Sequence, residues 1–194
     1  MPSQSVADAG LAALEHARLS AAGRDLVAAS ATIDEAVERL IDAGLLAEAV
    51  EVLAHGLAGP DAVSWVCRCA EATTPADLAE ADRIAAATAA EWTRSQRDET
   101  RRAAMKQAEH AGLRTPEAWA AAAAFFSGES LSEPHLPVVG PAPNLAGLTV
   151  AGAVTLAAVR NRPELADSRL RQFLEIGLGI AAAAHAQRSE ELPR

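Results

Sequence analysis

TIDEAVERLIDAGLLAEAVEVLAHGLAGP, residues 32–60, decides the fold class of this chain. Thr32 followed three residues later by Glu35 has the form of a capping box, in which a hydroxyl and a carboxylate satisfy backbone N–H groups that a first helical turn leaves unpaired. Ile33, Val37, Leu40 and Ile41 then recur at the i, i+4, i+7, i+8 spacing of one helical face. Gly44 stops that helix, and Leu46, Val50, Leu53 and Leu57 repeat the spacing. The Gly59, Pro60 pair marks a break before a new helix with proline in its first turn. Two amphipathic helices joined by a short turn make an antiparallel hairpin.

Working toward the C-terminus, the next helix, Pro60 to Ala72, is apolar on two sides: Val63, Val66, Cys67 and Ala70 on one, Ala62, Trp65 and Cys69 on the other. A helix apolar nearly all round is central. Its polar remainder, Asp61, Ser64, Arg68 and Glu71, falls on one narrow stripe, whose Asp61, Arg68 and Glu71 are expected to be held in structural ion pairs. Thr74 and Pro75 predict the start of a long helix through Trp92 to Arg94. Ser95 with Asp98 predicts a capped, charge-rich helix to Gly112 that carries Met105 and Ala108 inward. Thr115 and Pro116 predict a further start, with Trp119, Ala122, Phe125 and Phe126 buried.

Ser127 to Asn144 is rich in Pro, Gly and Ser, and exceeds the roughly 12–15 residues of an ordinary structureless connection. Leu136, Val138 and Val139 between its prolines predict an extended strap packed on the body. Helices at Leu145 to Arg160 and Pro163 to Ala186 follow. On the N-terminal side, residues 1–31 are Ala-rich and weakly periodic, with Val6, Leu11 and Leu14 as anchors and Gly23 as a break. The expectation is a single compact all-α domain of about eight helices over residues 32–188, preceded by this segment and followed by a frayed tail at 189–194. Trp65, Trp92 and Trp119 are evenly spaced, but their surroundings differ, so no repeat is read from them.

Composition agrees. Of the 194 residues 50% are apolar, yet only three Trp and three Phe are aromatic and about a quarter are Ala, so helices must pack closely through small side chains. A formal charge of -9 without a Lys/Arg cluster repels phosphate backbones and anionic lipid, and so argues against nucleic acid and membrane surfaces as partners. The uncharged stretch Leu136 to Val159 carries Pro137, Pro141 and Pro143 in its first half, which leaves less than the roughly 18 apolar residues of a spanning helix. Residues 1–10 have no basic region leading into an apolar run, so a cytoplasmic location is expected. Cys67 and Cys69, about 200° apart on a helix, cannot pair with each other.

No constellation carries chemistry. His16, His55, His110, His135 and His185 stand apart, without the spacing that places two metal ligands on one face. Cys67-Arg68-Cys69 lies on apolar faces where thiols are inert. Ser127-Gly128-Glu129-Ser130 lacks the strand and the glycine that a nucleophile elbow needs. Gly147, Gly152, Gly177 and Gly179 match no phosphate loop and read as sites of close helix packing. Arg97, Arg101, Arg102 and Lys106, interleaved with Asp98, Glu99 and Glu109, read as a solvated basic face open to an acidic partner. No catalytic residue, cofactor or metal is assigned.

Three segments taken together carry a resemblance: Ala62 to Ala70 (AVSWVCRCA), Trp92 with Arg101 to Ala104, and Trp119 through Phe125 to Leu131 with the proline strap. They resemble a family of small bacterial proteins of unknown function associated with type VI secretion and related contractile-injection gene clusters. The resemblance implies a non-catalytic adaptor that binds another protein of such an apparatus, with Asp61, Ser64, Arg68, Glu71, Arg97, Arg101 and Arg102 as candidate contacts. Two rivals stand beside it: a small-ligand module lidded by residues 127–144, and a hydrolase or toxin-like effector with Asp61, Arg68 and Glu71 beside a pocket.

Overall fold

Thr32 closes the first turn of its helix in the computed structural model of the chain, which describes residue 14 and residues 17–191, with side chains through residue 188. The Thr32 hydroxyl accepts from the Glu35 N–H (3.1 Å), and Glu35 Oε2 accepts from the N–H of Ala31 (2.7 Å), one residue before the position a capping box uses. Among the described residues there are nine α-helices and no strand. They are α1 (Ala21–Ala28), α2 (Ile33–Asp42), α3 (Leu46–Gly56), α4 (Gly59–Glu71), α5 (Glu80–Ser95), α6 (Asp98–His110), α7 (Pro116–Phe126), α8 (Leu145–Val159) and α9 (Ala166–Glu191), with a 3-10 turn at Pro163–Leu165. The all-α, single-domain expectation is met.

The α2–α3 hairpin forms as its spacing dictates. Gly44 takes a left-handed φ of +75°, and the next amide, Leu45 N–H, reaches back to the Leu40 carbonyl (2.9 Å), which ends α2 and reverses the chain. The two helices touch so closely that a Cβ on Gly56 would stand 2.6 Å from the Ile33 side chain. Helix α4 sits at the centre, packed by α5, α7, α8 and α9, and its Val63, Trp65, Val66 and Cys69 are wholly buried. The Trp65 indole N–H donates to the Phe173 carbonyl (2.7 Å), so a buried polar atom is satisfied by a helix 108 residues away.

Small residues set the helix spacing. Ala118 and Ala120 to Ala124 of α7 are buried, as are Ala85 and Ala89 of α5 and Ala104 and Ala108 of α6. Each methyl supplies only about 0.8 kcal/mol, so stability comes from their number and from short helix separations. Gly147, Gly152 and Gly177 serve that packing: a Cβ there would strike His55, Trp119, or Leu53 and Trp65 respectively. Gly179 faces open space and has no such role.

Several expectations are corrected. Thr74 and Pro75 do not start α5; residues 72–79 are irregular and α5 begins at Glu80, behind Ala79. Ser95 belongs to α5 rather than capping α6, whose N-cap is Arg97, and the left-handed Gln96 (φ 49°) makes the turn between them. On α7 the alanines are buried, while Trp119, Phe125 and Phe126 are half-buried at its margin. Gly23 does not break α1; it lies in a first turn capped by the Ser20 hydroxyl, pressed against Glu48. The predicted tail at 189–194 is helical to Glu191; its remainder, and Val6 and Leu11, lie outside the described residues. No helix among the described residues is long and apolar enough to cross a membrane.

Candidate functional site

The polar stripe of α4 does not close on itself. Asp61 and Ser64 are half-buried, Arg68 and Glu71 are exposed, and no ion pair joins Asp61, Arg68 and Glu71 among the described residues. The expectation of structural pairing there fails because the stripe points outward, where water solvates each group without a partner. Glu71 alone of the four borders the cavity of about 400 Å3 that also presents Cys67, Leu78, Arg83 and Ala87. Arg83 is taken up by Glu80 (2.8 Å) and the Leu78 carbonyl.

Neither thiol is a nucleophile in waiting. Desolvation, with Glu71 and Glu117 nearby, pushes the Cys67 thiol up to about 12, and burial likewise raises that of Cys69. A thiol held that high carries almost no thiolate at mildly alkaline pH. Both thiols of the native chain should resist a disulfide-exchange reagent at mildly alkaline pH and react together after unfolding in urea. A thiol titrating rapidly in the native chain would contradict this.

The basic face of α6 divides. Arg97 and Lys106 are exposed as expected, and Arg102 pairs with Asp98 (2.6 Å). Arg101, in contrast, is buried, its side chain only 5% exposed. Its Nε and Nη2 donate to Asp98 Oδ1 (2.9 and 2.7 Å), Nη1 to the Phe125 carbonyl (2.6 Å) and Nη2 to the Ser130 carbonyl (2.7 Å), and its guanidinium stands 4.8 Å from the centre of the Phe125 ring. One planar fork thus ties α6 to the end of α7 and to the first limb of the following segment. The chain crosses directly over it at Gly128, where a Cβ would lie 2.4 Å from Arg101 Cδ and Nε. The reading of Arg101 as solvated fails because its acceptors are carbonyls 24 and 29 residues away, which no local pattern reports.

That segment is not a packed strap. The Leu131 N–H donates to the Val139 carbonyl (2.8 Å), and the Ser130 hydroxyl accepts from the N–H groups of Ser132 (3.1 Å) and Val139 (3.3 Å). These bonds close a neck, and residues 133–140 beyond it are exposed. Leu136, Val138 and Val139 are 51%, 77% and 56% accessible. Of the apolar residues expected to pack, Leu136 and Val138 thus lie beyond the neck and Val139 lies in it with its side chain exposed. Only its two limbs pack, walling a cavity of about 310 Å3 in which His55, Phe126, Ser127, Pro141 and Gly147 meet.

A second arginine, with its side chain 10% exposed, escaped the sequence reading entirely. Arg160 forms a two-pronged pair with Glu117 (2.9 Å through Nη1 and Oε1, with Nη2 and Oε2 also bonded), and Glu117 is only 2% exposed. Arg160 Nη1 also lies 3.4 Å from the Thr73 carbonyl, at the end of α4. Glu117 resembles any acid in a first helical turn, and nothing in the local pattern marks its partner 43 residues on.

No group of three or more His, Cys, Asp or Glu side chains is arranged to hold a metal among the described residues. His55 Nδ1 sits 2.8 Å from the Glu51 carbonyl, an acceptor only, so that nitrogen carries a proton. His110 and His135 are exposed; His16 lies outside the described residues. The surface that stands out is the apolar loop tip, held by a neck and by Arg101. A model of a family of unknown function (DUF6931) matches residues 36–181. No curated protein and no solved structure gives a significant match.

Proposed function

We propose that this chain, which belongs to the family of unknown function DUF6931, is a cytoplasmic, non-catalytic adaptor that binds another protein through its 131–140 loop. The single observation that carries this reading is the exposure of Leu136, Val138 and Val139 on a loop whose base is pinned by a buried arginine. A contiguous apolar tip facing water is costly unless a partner covers it. Pinning its base lowers the ordering cost of that contact. Arg97 and Lys106, exposed on α6, and the outward stripe of α4 supply polar surface for peripheral contacts. The partner we propose is a component of a type VI-like secretion apparatus, on the strength of the resemblance carried by residues 62–70, 92–104 and 119–131.

Affinity purification with mass spectrometry, using the tagged chain at native level in its own host, tests this. A sheath, baseplate or effector component should be enriched. A Leu136→Asp/Val138→Asp variant, which leaves the melting temperature unchanged because both positions face solvent, should lose that enrichment at least tenfold. Equal enrichment by parent and variant would remove the loop from the interface, and enrichment of no apparatus component would remove the secretion assignment.

A further inference from the structure

Resting on that reading of the loop, we infer that the tip receives its partner by strand addition: an extended, apolar segment with flanking Lys or Arg residues pairs with the outer backbone edge of residues 138–140. The register of the neck carries this. Val139 turns both its N–H and its C=O inward, to the Ser130 hydroxyl and the Leu131 N–H. In extended chain, successive residues present their N–H and C=O groups to opposite sides. None of the four N–H and C=O groups of Val138 and Gly140 has a partner within the chain among the described residues, and alternation along extended chain would turn them outward. Val138 is also the most exposed large apolar residue described, at 77%. Unpaired backbone donors and acceptors beside apolar side chains are the recognition surface of an added strand, with backbone bonds giving affinity and side chains giving specificity.

Pro137 and Pro141 bound this edge. Their rings fix φ at each end of the segment, and with only four unpaired groups between them the edge is too short to template open-ended association. The loop's charge selects the occupant. Glu129 and Glu133 are exposed, and residues 127–144 contain no Lys or Arg, so basic flanks on the incoming segment are favoured. A helical occupant would leave the four backbone groups unpaired.

The test pans the full chain against two displayed peptide libraries with alternating Val, Ile and Thr cores, one with Lys/Arg flanks and one with Asp/Glu flanks. Basic-flanked peptides should be selected, and hydrogen exchange should show new protection at the Val138 and Gly140 amides. Val138→Pro removes one outward N–H that has no intramolecular partner, so the melting temperature should hold while peptide affinity falls about five- to tenfold. Val138→Ile should bind within twofold of the parent. Selection of acidic or helical peptides, no selection at all, or indifference to Val138→Pro would overturn strand addition. So would concentration-dependent dimers abolished by Val138→Pro, which would give the edge to a second copy of the chain. These results separate from failure of the adaptor reading: if Val138→Pro still enriches the apparatus component while Leu136→Asp/Val138→Asp does not, the loop binds its partner by side chains alone.

Discussion

Arg160→Ala is expected to lower the stability of the folded chain by about 3–5 kcal/mol, the cost of leaving the Glu117 carboxylate buried without its cation. Glu117 is 2% exposed and the Arg160 side chain 10% exposed, so the carboxylate left behind is poorly solvated although each residue borders a cavity. Position adds to the pair. Glu117 sits in the first turn of α7, where the helix dipole favours an anion, and Arg160 sits by the last carbonyls of α4, where it favours a cation. The following turn is held separately, by Arg169 Nη1 donating to the Arg160 main-chain carbonyl (2.7 Å), a bond the substitution leaves in place. A double change, Glu117→Leu with Arg160→Met, removes both charges and keeps volume, and should cost about 2 kcal/mol or less. Urea denaturation of the parent, the two single variants and the double variant measures this cycle. A single variant within about 0.5 kcal/mol of the parent would show that the pair is solvated rather than structural.

Arg101→Ala is the second large effect, and it links stability to binding. It strips two carbonyls, Phe125 and Ser130, of a charged donor and removes the contact with the Phe125 ring. A loss of about 2–4 kcal/mol is expected, since bonds from charged donors are worth about 1.5–3 kcal/mol each and part is recovered by water. Arg101→Lys should rescue little, because a single ammonium cannot reach two carbonyls and a carboxylate at the fork's angles. Hydrogen exchange at the Leu131 and Val139 amides should accelerate in both variants, and partner enrichment should fall while the rest of the helical body keeps its protection. If the neck amides stay protected, the loop closes without Arg101 and the proposed pinning is wrong.

The same cluster has a pH dependence of known sign. Hydrogen bonds from Arg102, then from Arg101, hold the Asp98 carboxyl below the usual carboxylate range. Its contribution is therefore complete above the unfolded carboxylate value of about 3.9 and is lost as pH falls through the lower folded value. Asp98 is 55% exposed, so solvent screening keeps this term small and the two carbonyl bonds of Arg101 dominate.

What could be read without coordinates was whatever depends on near neighbours in the chain. Thr32 with Glu35, Gly44, and Thr115 with Pro116 act within one helical turn, and each marks a helix boundary where the chain has one. The face periodicity of residues 33–57 and the all-round apolarity of α4 likewise state which residues leave water. Local signals misled at Thr74-Pro75, which has the chemistry of a helix start, yet residues 72–79 stay irregular and several of them border cavities beside α5 and α7.

The candidate site was legible in its parts and not in its arrangement. Arg101 and residues 127–144 were both singled out, but one as a solvated charge and the other as a buried strap, and the structure exchanges those roles. The reason is physical. Whether a guanidinium is solvated depends on which carbonyls approach it, and whether Val138 is covered depends on where the neck closes; both are set by contacts across 9 to 29 residues. The sequence alone determined an all-α body packed through alanine and glycine, because helix propensity, capping and periodicity are local. The tertiary structure alone decided which arginines are buried and which apolar residues are left to face a partner, because burial belongs to the assembled helices and not to any one of them.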